Sequence, residues 1–343
     1  MTIKKSYIIA AALIGVLLLT YTTISKAEAK EHATENSDKE EPKHSTMPVN
    51  RTPKVPQSVV FAGSSIDLTQ QDRRERMDRE MLSFCYSHIN TMLQIKRANR
   101  LFPIVEPILK ECGIPDDFKY LMIIECNGDV EARSGAGAAG PWQFLEKTGR
   151  EYGLEVNGDI DERYHLEKAT RAACKYLKDS YKAFGDWLTV AASYNTGRAN
   201  VSKRVSAQKE EKAIDLVLLP ETSRYIFRLL AAKTIFNNPK EYGFHLRTDE
   251  LYPAIPIAKN ITVTAPVSSW ADIAKENGLT YLQLHEANPW IRNASMTENN
   301  KNNKNSKNSN TQNKEYSVKI PSAKALKYDP AKTVAHNKRW VID

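Results

Sequence analysis

The sequence predicts a mainly α protein, with a helical first domain followed by a small α+β domain. Three observations carry that expectation. From about Asp72 to Phe236 helical patterns follow one another, with apolar residues recurring at the i, i+3, i+4, i+7 spacing of a single helix face. Strand-like alternation is scarce before about residue 250. After Tyr242 the chain turns to extended, proline-punctuated segments. There Ile261-Thr262-Val263 and Tyr316-Ser317-Val318-Lys319-Ile320-Pro321 bracket two short helical patterns, around Trp270-Ile273-Ala274 and Leu282-Leu284.

The 343 residues leave room for two domains and for appendages. Lys4 and Lys5, the apolar run Tyr7 to Leu19 and the small residues of Ser25-Lys26-Ala27 follow the order of a secretory signal peptide, so 1–27 is expected to direct export. That run is short for a membrane span, although Thr20 to Ile24 extend it towards an uncleaved anchor. A membrane is therefore a partner only if the segment stays uncleaved, and no Cys near 15–30 offers a site for a lipid. Residues 28 to about 57 are rich in Glu, Lys, Ser, Pro and Thr and cannot bury enough surface to order themselves. The stretch 28–75 is expected to be a disordered or extended tether, with Val59-Val60-Phe61 the first residues able to begin structure. The helical domain then spans 76–245 and the small domain 246–343, with an Asn/Lys-rich flexible loop over 299–313.

Net charge is +8, from 49 basic and 41 acidic residues. This mild excess favours an anionic surface without choosing one. No recognisable motif supports nucleic acid, and none is expected as a partner. Cys85, Cys112, Cys126 and Cys174 permit two disulfides in any of three pairings in an oxidising compartment, or four buried thiols. Their spacing, with no Cys-x-x-Cys pair and no His partner, matches no zinc pattern, so neither metal nor cofactor is expected.

Within the helical domain the expected elements are Arg74 to Leu93 or beyond, Pro103 to Cys112, Glu167 to Phe184, Trp187 to Tyr194 and Glu221 to Phe236. A further short helix between Gly113 and Gly128 carries the chemistry. Pro115 suits its first position, and Asp116 and Asp117 favour the positive end of its dipole. Phe118, Leu121, Met122 and Glu125 then share one face, which sets a carboxylate among apolar residues. Gly128 is expected to end the helix, with Glu125 close to its negative end. Burial and the dipole both disfavour ionisation of Glu125 and raise its pKa. A general acid needs that property to keep its proton near neutral pH, although a glutamate snorkelling at the edge of a core helix has the same pattern. Next comes a small-residue loop, Arg133-Ser134-Gly135-Ala136-Gly137-Ala138-Ala139-Gly140, which fits either tight packing or close approach of backbone to a ligand. Pro141-Trp142-Gln143-Phe144 is expected to start a helix running through Thr148 to Tyr152.

Four segments in order then resemble the lytic murein transglycosylases of the soluble-lysozyme-like type, and among them the membrane-bound D group. They are Ile124-Glu125-Cys126-Asn127, Gly137 to Phe144, Ala192-Ser193-Tyr194-Asn195-Thr196-Gly197 and Leu219-Pro220-Glu221-Thr222-Ser223-Arg224-Tyr225-Ile226. The likeness covers about 76–236. It implies a lysozyme-like helical fold and cleavage of the MurNAc–GlcNAc β-1,4 bond of peptidoglycan glycan strands, leaving a 1,6-anhydro-MurNAc end. Glu125 occupies the position of the catalytic acid, which serves as acid and then base. By position, Gln143 contacts the sugar backbone, Tyr194 and Asn195 orient the acid and line the cleft, and Tyr225 lies at the far end of the groove. Cys126 stands where the family has a substrate-contacting serine, and a thiol is a weaker donor. Two other functions stay open: a lysozyme-type hydrolase using Asp129 or Glu131 to activate water, and a non-catalytic wall-binding protein.

Residues 260–321 resemble a LysM carbohydrate-binding module. The likeness rests on Ile261-Thr262-Val263, Trp270-Ala271-Asp272-Ile273-Ala274, Leu284 and Ala287-Asn288-Pro289. Ser268-Ser269 replace the usual Gly-Asp and the Asn/Lys loop is an insertion, so a degenerate spacer fits as well as a glycan binder.

Overall fold

Helices form where the sequence repeats its apolar residues on one face, and the longer ones bury that face in a common core. The computed structural model describes residues 52–296 and 314–343. The expected signal segment, the tether up to residue 51 and the whole Asn/Lys loop lie outside them. Among the described residues no helix is long and apolar enough to cross a membrane.

The chain enters as a hairpin, β1 (Ser58–Phe61) against β2 (Ser64–Asp67), antiparallel through the turn Ala62-Gly63. This corrects the tether expected over 28–75, because Val55 is already buried and the hairpin begins at Ser58. Alternation over Ser58-Val59-Val60-Phe61 points Val59 and Phe61 into the core with Val55 and Leu68. Four residues are too few for a reliable period. Asp117 ties the hairpin down by accepting from the Ala62 amide at 2.6 Å.

Helix α1 (Gln71–Tyr86) buries Met77, Met81 and Phe84, and α2 (His88–Glu111) follows after a break at Ser87. The expected division before Pro103 is absent, and Pro103 and Pro107 both lie inside α2. Each lacks a donor and crowds the carbonyl four residues back. Burial of Leu101, Phe102, Val105, Ile108 and Leu109 on the other face keeps the helix whole. Then come α3 (Phe118–Cys126), the short α4 (Glu146–Glu151) and α5 (Leu166–Phe184). After them α6 (Trp187–Thr196) is capped by the Asp186 side chain, which accepts from the Thr189 amide. The polar α7 (Arg198–Gln208) was not expected, since Val201 is its only buried residue and no apolar stripe announces it. Helix α8 (Pro220–Asn237) opens on proline and packs against α1, α3 and α6.

The second domain is strand, two helices and strand: β3 (Ile257–Thr264), α9 (Trp270–Glu276), α10 (Tyr281–Ala287) and β4 (Glu315–Pro321), with β3 and β4 antiparallel. Trp270, Leu284, Trp290, Tyr316, Val318 and Ile320 form its core, which Ala139, Ile160 and Tyr164 of the helical domain join. The expected boundary of 246–343 needs correction at both ends. Leu246 and Leu251 belong to the helical core, and so do Trp340 and Val341. The last residues run back to the helical domain, where Trp340 donates its indole N–H to the Phe236 carbonyl at 2.7 Å and Val341 bridges Leu246. Isolated apolar residues in a polar tail carry no periodic signal of where they pack.

All four cysteines are free thiols. Cys112 and Cys174 neighbour each other where the end of α2 meets α5, beside the Glu111–Arg171 ion pair at 2.8 Å.

Candidate active site

Helix α3 delivers Glu125. Nine residues make a marginal helix in water, so its position depends on burial. Phe118, Leu121 and Met122 are fully buried, each worth on the order of 2 kcal/mol. Tyr120 and Ile123 are buried too, so apolar contact wraps more than the one expected face. Asn127 (φ 51°) takes the left-handed cap expected of Gly128, and Gly128 (φ 71°) continues the turn.

The Glu125 carboxyl accepts a hydrogen bond from the Tyr225 hydroxyl at 2.5 Å, because α3 and α8 pack side against side. Burial pushes the Glu125 pKa from 4.5 to about 7. The Tyr225 hydrogen bond and the Arg228 guanidinium pull it down, while Glu221 adds a smaller upward push. Glu125 is therefore substantially protonated near neutral pH while its side chain stays partly exposed.

The tyrosine on the acid is thus Tyr225, which the sequence reading sets at the far end of the groove. Tyr194 instead donates to the Trp142 carbonyl at 2.6 Å and packs edge-on against Trp142 and Tyr176. It remains near enough to feel the Glu125 charge. Asn195 follows it in the last turn of α6, partly exposed, its side chain making no hydrogen bond among the described residues.

Gln143 does not begin a helix. It holds a left-handed turn (φ 47°) and donates through Nε2 to the carbonyls of Ala132 at 2.9 Å and Gly140 at 2.8 Å, which braces the small-residue loop. Gly140 shows why that loop is tight. A Cβ there would lie 1.8 Å from the Arg163 carbonyl oxygen, at a φ of 78°. Protein backbone, rather than a ligand, requires that glycine. Arg163 completes the brace, paired with buried Asp161 at 2.7 Å and donating to the carbonyls of Gly137 and Phe144. The sequence reading passed over Arg163, since a polar Asp-x-Arg resembles solvated surface.

Cys126 is turned into the core. It is 2% exposed, its thiol donates to the Met122 carbonyl at 3.2 Å, and burial pushes its pKa up to about 12. The residue after Glu125 points into the core because 100° of helical rotation separates neighbours. Asp129 and Glu131 are engaged elsewhere. Asp129 accepts from the Glu131 amide, and Glu131 turns to Arg292 of the second domain at 3.3 Å.

Residues 108–217 match the transglycosylase SLT domain family. The chain carries a transglycosylase SLT domain. Residues 259–324 match the soluble lytic transglycosylase C-terminal LysM-like domain. Two curated relatives, the membrane-bound lytic murein transglycosylase D of Escherichia coli K12 and that of strain O6:H1, are each 31% identical over 244 residues, covering 69% of this chain and 52% of the relative. The chain thus spans about half the length of the curated relatives it matches. The crystal structure of the 70 kDa soluble lytic transglycosylase of Escherichia coli aligns with a TM-score of 0.36 and 17% identity, over 48% of this chain and 29% of that one. The SLT match includes Glu125, Gln143, Tyr194 and Asn195, and it ends before Tyr225.

Proposed function

We propose that this protein is an exported peptidoglycan lytic transglycosylase that cleaves the MurNAc–GlcNAc β-1,4 bond and leaves a 1,6-anhydro-MurNAc end. The observation that carries the reading is Glu125, a carboxyl with a pKa of about 7, held by a tyrosine and with Asp129 and Glu131 engaged elsewhere. Glu125 gives its proton to the leaving glycosidic oxygen as the bond to C1 breaks. The resulting carboxylate then accepts the proton of the MurNAc 6-hydroxyl as that oxygen closes on C1. The glycan supplies its own nucleophile at high effective concentration, so no second carboxylate is required.

In this reading Tyr225 orients the acid and stabilises its ionised form between the two steps. Tyr194 and Gln143 shape the cleft wall through the Trp142 and loop carbonyls, and Asn195 is left to meet the sugar. The SLT and LysM-like matches support a glycan-strand substrate, and the basic N-terminal start followed by an apolar run supports delivery to the cell envelope. Mass analysis of murein digested by the wild type and by Glu125→Gln tests the assignment. Anhydro-terminated fragments from the wild type alone are expected. Reducing ends in their place would establish a hydrolase.

A further inference from the structure

Beside the acid lies a cavity of about 250 Å³ that the mechanism above does not use. It is lined by Arg224 and Arg228 of α8, by Ser87, Asn90 and Gln94 around the α1–α2 junction, and by Asn127 just past Glu125. Tyr225, between the two arginines in sequence, donates to Glu125, so the cavity and the acid are neighbours across one turn of α8.

The two guanidiniums are held from behind. Glu80 of α1 is fully buried and meets Arg224 Nε at 2.8 Å, Arg79 Nε at 3.1 Å and Arg228 Nε at 3.6 Å. A buried carboxylate is tolerated only when paired, and here it engages the Nε edge of each guanidinium. The Nη donors of Arg224 consequently have no partner among the described residues. On Arg228, Nη1 reaches only the exposed Glu221, at 3.4 Å. Arg224 and Arg228 thus bring Nη donors with little or no partner to a polar cavity, while Arg79 lies outside its lining. Arginine forks with free Nη atoms match a carboxylate, while Asn90, Asn127 and Gln94 offer amide donors and acceptors suited to a peptide backbone.

We propose that this cavity receives the carboxylate-bearing peptide of the peptidoglycan substrate, with Arg224 and Arg228 as its anion-binding residues and Glu80 as the group that positions them. This rests on the transglycosylase reading. The glycan of that substrate is largely neutral, and the peptides on its muramyl units carry the free carboxylates. The enzyme therefore favours strands that bear peptides over bare strands.

The test compares kcat/KM on intact murein and on murein stripped of peptides by an amidase, which keeps only the short lactyl carboxylate that the hydrolysis leaves on each muramyl unit, with anhydro ends as readout. The wild type is expected to favour intact murein by about tenfold, the worth of one charge-assisted hydrogen bond. Arg224→Gln brings that ratio close to one, through KM on intact murein. It is chosen over Arg228 because Arg228 acts on the Glu125 charge. Asn90→Asp, exposed in the first turn of α2 where a carboxylate suits the helix dipole, keeps the fold and lowers the same ratio by placing like charge in the cavity. Equal wild-type rates on the two substrates, or variants that slow both alike, would overturn the peptide site while leaving the transglycosylase reading intact. Absence of anhydro ends from either substrate would overturn that reading itself.

Discussion

Replacing Glu125 by glutamine should cut activity severely and stabilise the fold at the same time, and the stabilisation should depend on pH in a defined way. In the folded protein the Glu125 carboxyl titrates near 7 instead of 4.5, chiefly because it is buried. The native state thus binds this proton more tightly than the unfolded chain does. The sign follows from linkage: stability falls as pH rises from about 4.5 to about 7 and is flat beyond. The full displacement corresponds to a cost on the order of 3 kcal/mol to the ionised native state. Because the side chain is partly exposed, solvent screening reduces that to about 2 kcal/mol. Glutamine is nearly isosteric with the protonated acid and still accepts from Tyr225. Glu125→Gln should therefore raise the melting temperature at pH 8 by roughly 5 °C and leave it nearly unchanged at pH 4. Activity should fall by about 10³-fold, the usual worth of a general acid. Thermal melts of both proteins across that pH range, with anhydro-product assays alongside, decide the matter. A variant no more stable than wild type at pH 8, or equally stabilised at both pH values, would refute the buried-acid reasoning.

Other perturbations test separate parts of the site. Tyr225→Phe removes the hydrogen bond that lowers the Glu125 pKa, so the alkaline limb of the kcat/KM profile should move to higher pH, with a loss of about tenfold in kcat. Cys126→Ser should change kcat/KM by no more than about twofold, since serine can also donate to the Met122 carbonyl four residues back; a tenfold gain would mean that this position meets substrate. Gly140→Ala should cost on the order of 3 kcal/mol or more in melts, through its collision with Arg163, whereas Gly137→Ala, which faces open space, should cost about 1 kcal/mol from its left-handed backbone. Trp340→Ala should destabilise the helical domain by about 3–5 kcal/mol, seen as a lower melting temperature of the whole chain, because that indole is buried there and bonds to Phe236.

Legibility in the sequence followed the length of the pattern. Helices α5 and α8 run for five turns with continuous apolar stripes, and their extents match expectation within a residue or so. The hairpin at Ser58–Asp67 and helix α7 were missed, the first because its strands have four residues, the second because it buries almost nothing. Glu125 was legible as a carboxylate on an apolar face. The same signal stands at Met77, Glu80, Met81 and Phe84, with identical spacing, and there it marks the buried charge beneath the arginines. A single helix does not say which of two such glutamates sits under arginines and which meets a tyrosine. The partners decide, namely one tyrosine for Glu125 and three guanidiniums for Glu80. That Tyr225 rather than Tyr194 hydrogen-bonds Glu125 has the same origin, since helix crossing, which no local motif encodes, sets which tyrosine reaches the carboxyl.

The return of the chain end to the helical core makes the LysM-like domain an insertion clamped at two points. A module on a single tether samples every bearing its linker allows. Here the polypeptide leaves beside Leu251 and comes back at Trp340. Between those anchors Lys319 pairs with Glu167, Lys314 with Glu155 and Arg292 with Glu131. The module is held like one jaw of a calliper whose other jaw carries Glu125. Under the proposed function, a glycan strand bound by the module would meet the acid at a distance fixed by the fold, and lengthening one hinge alone would leave that gauge in place.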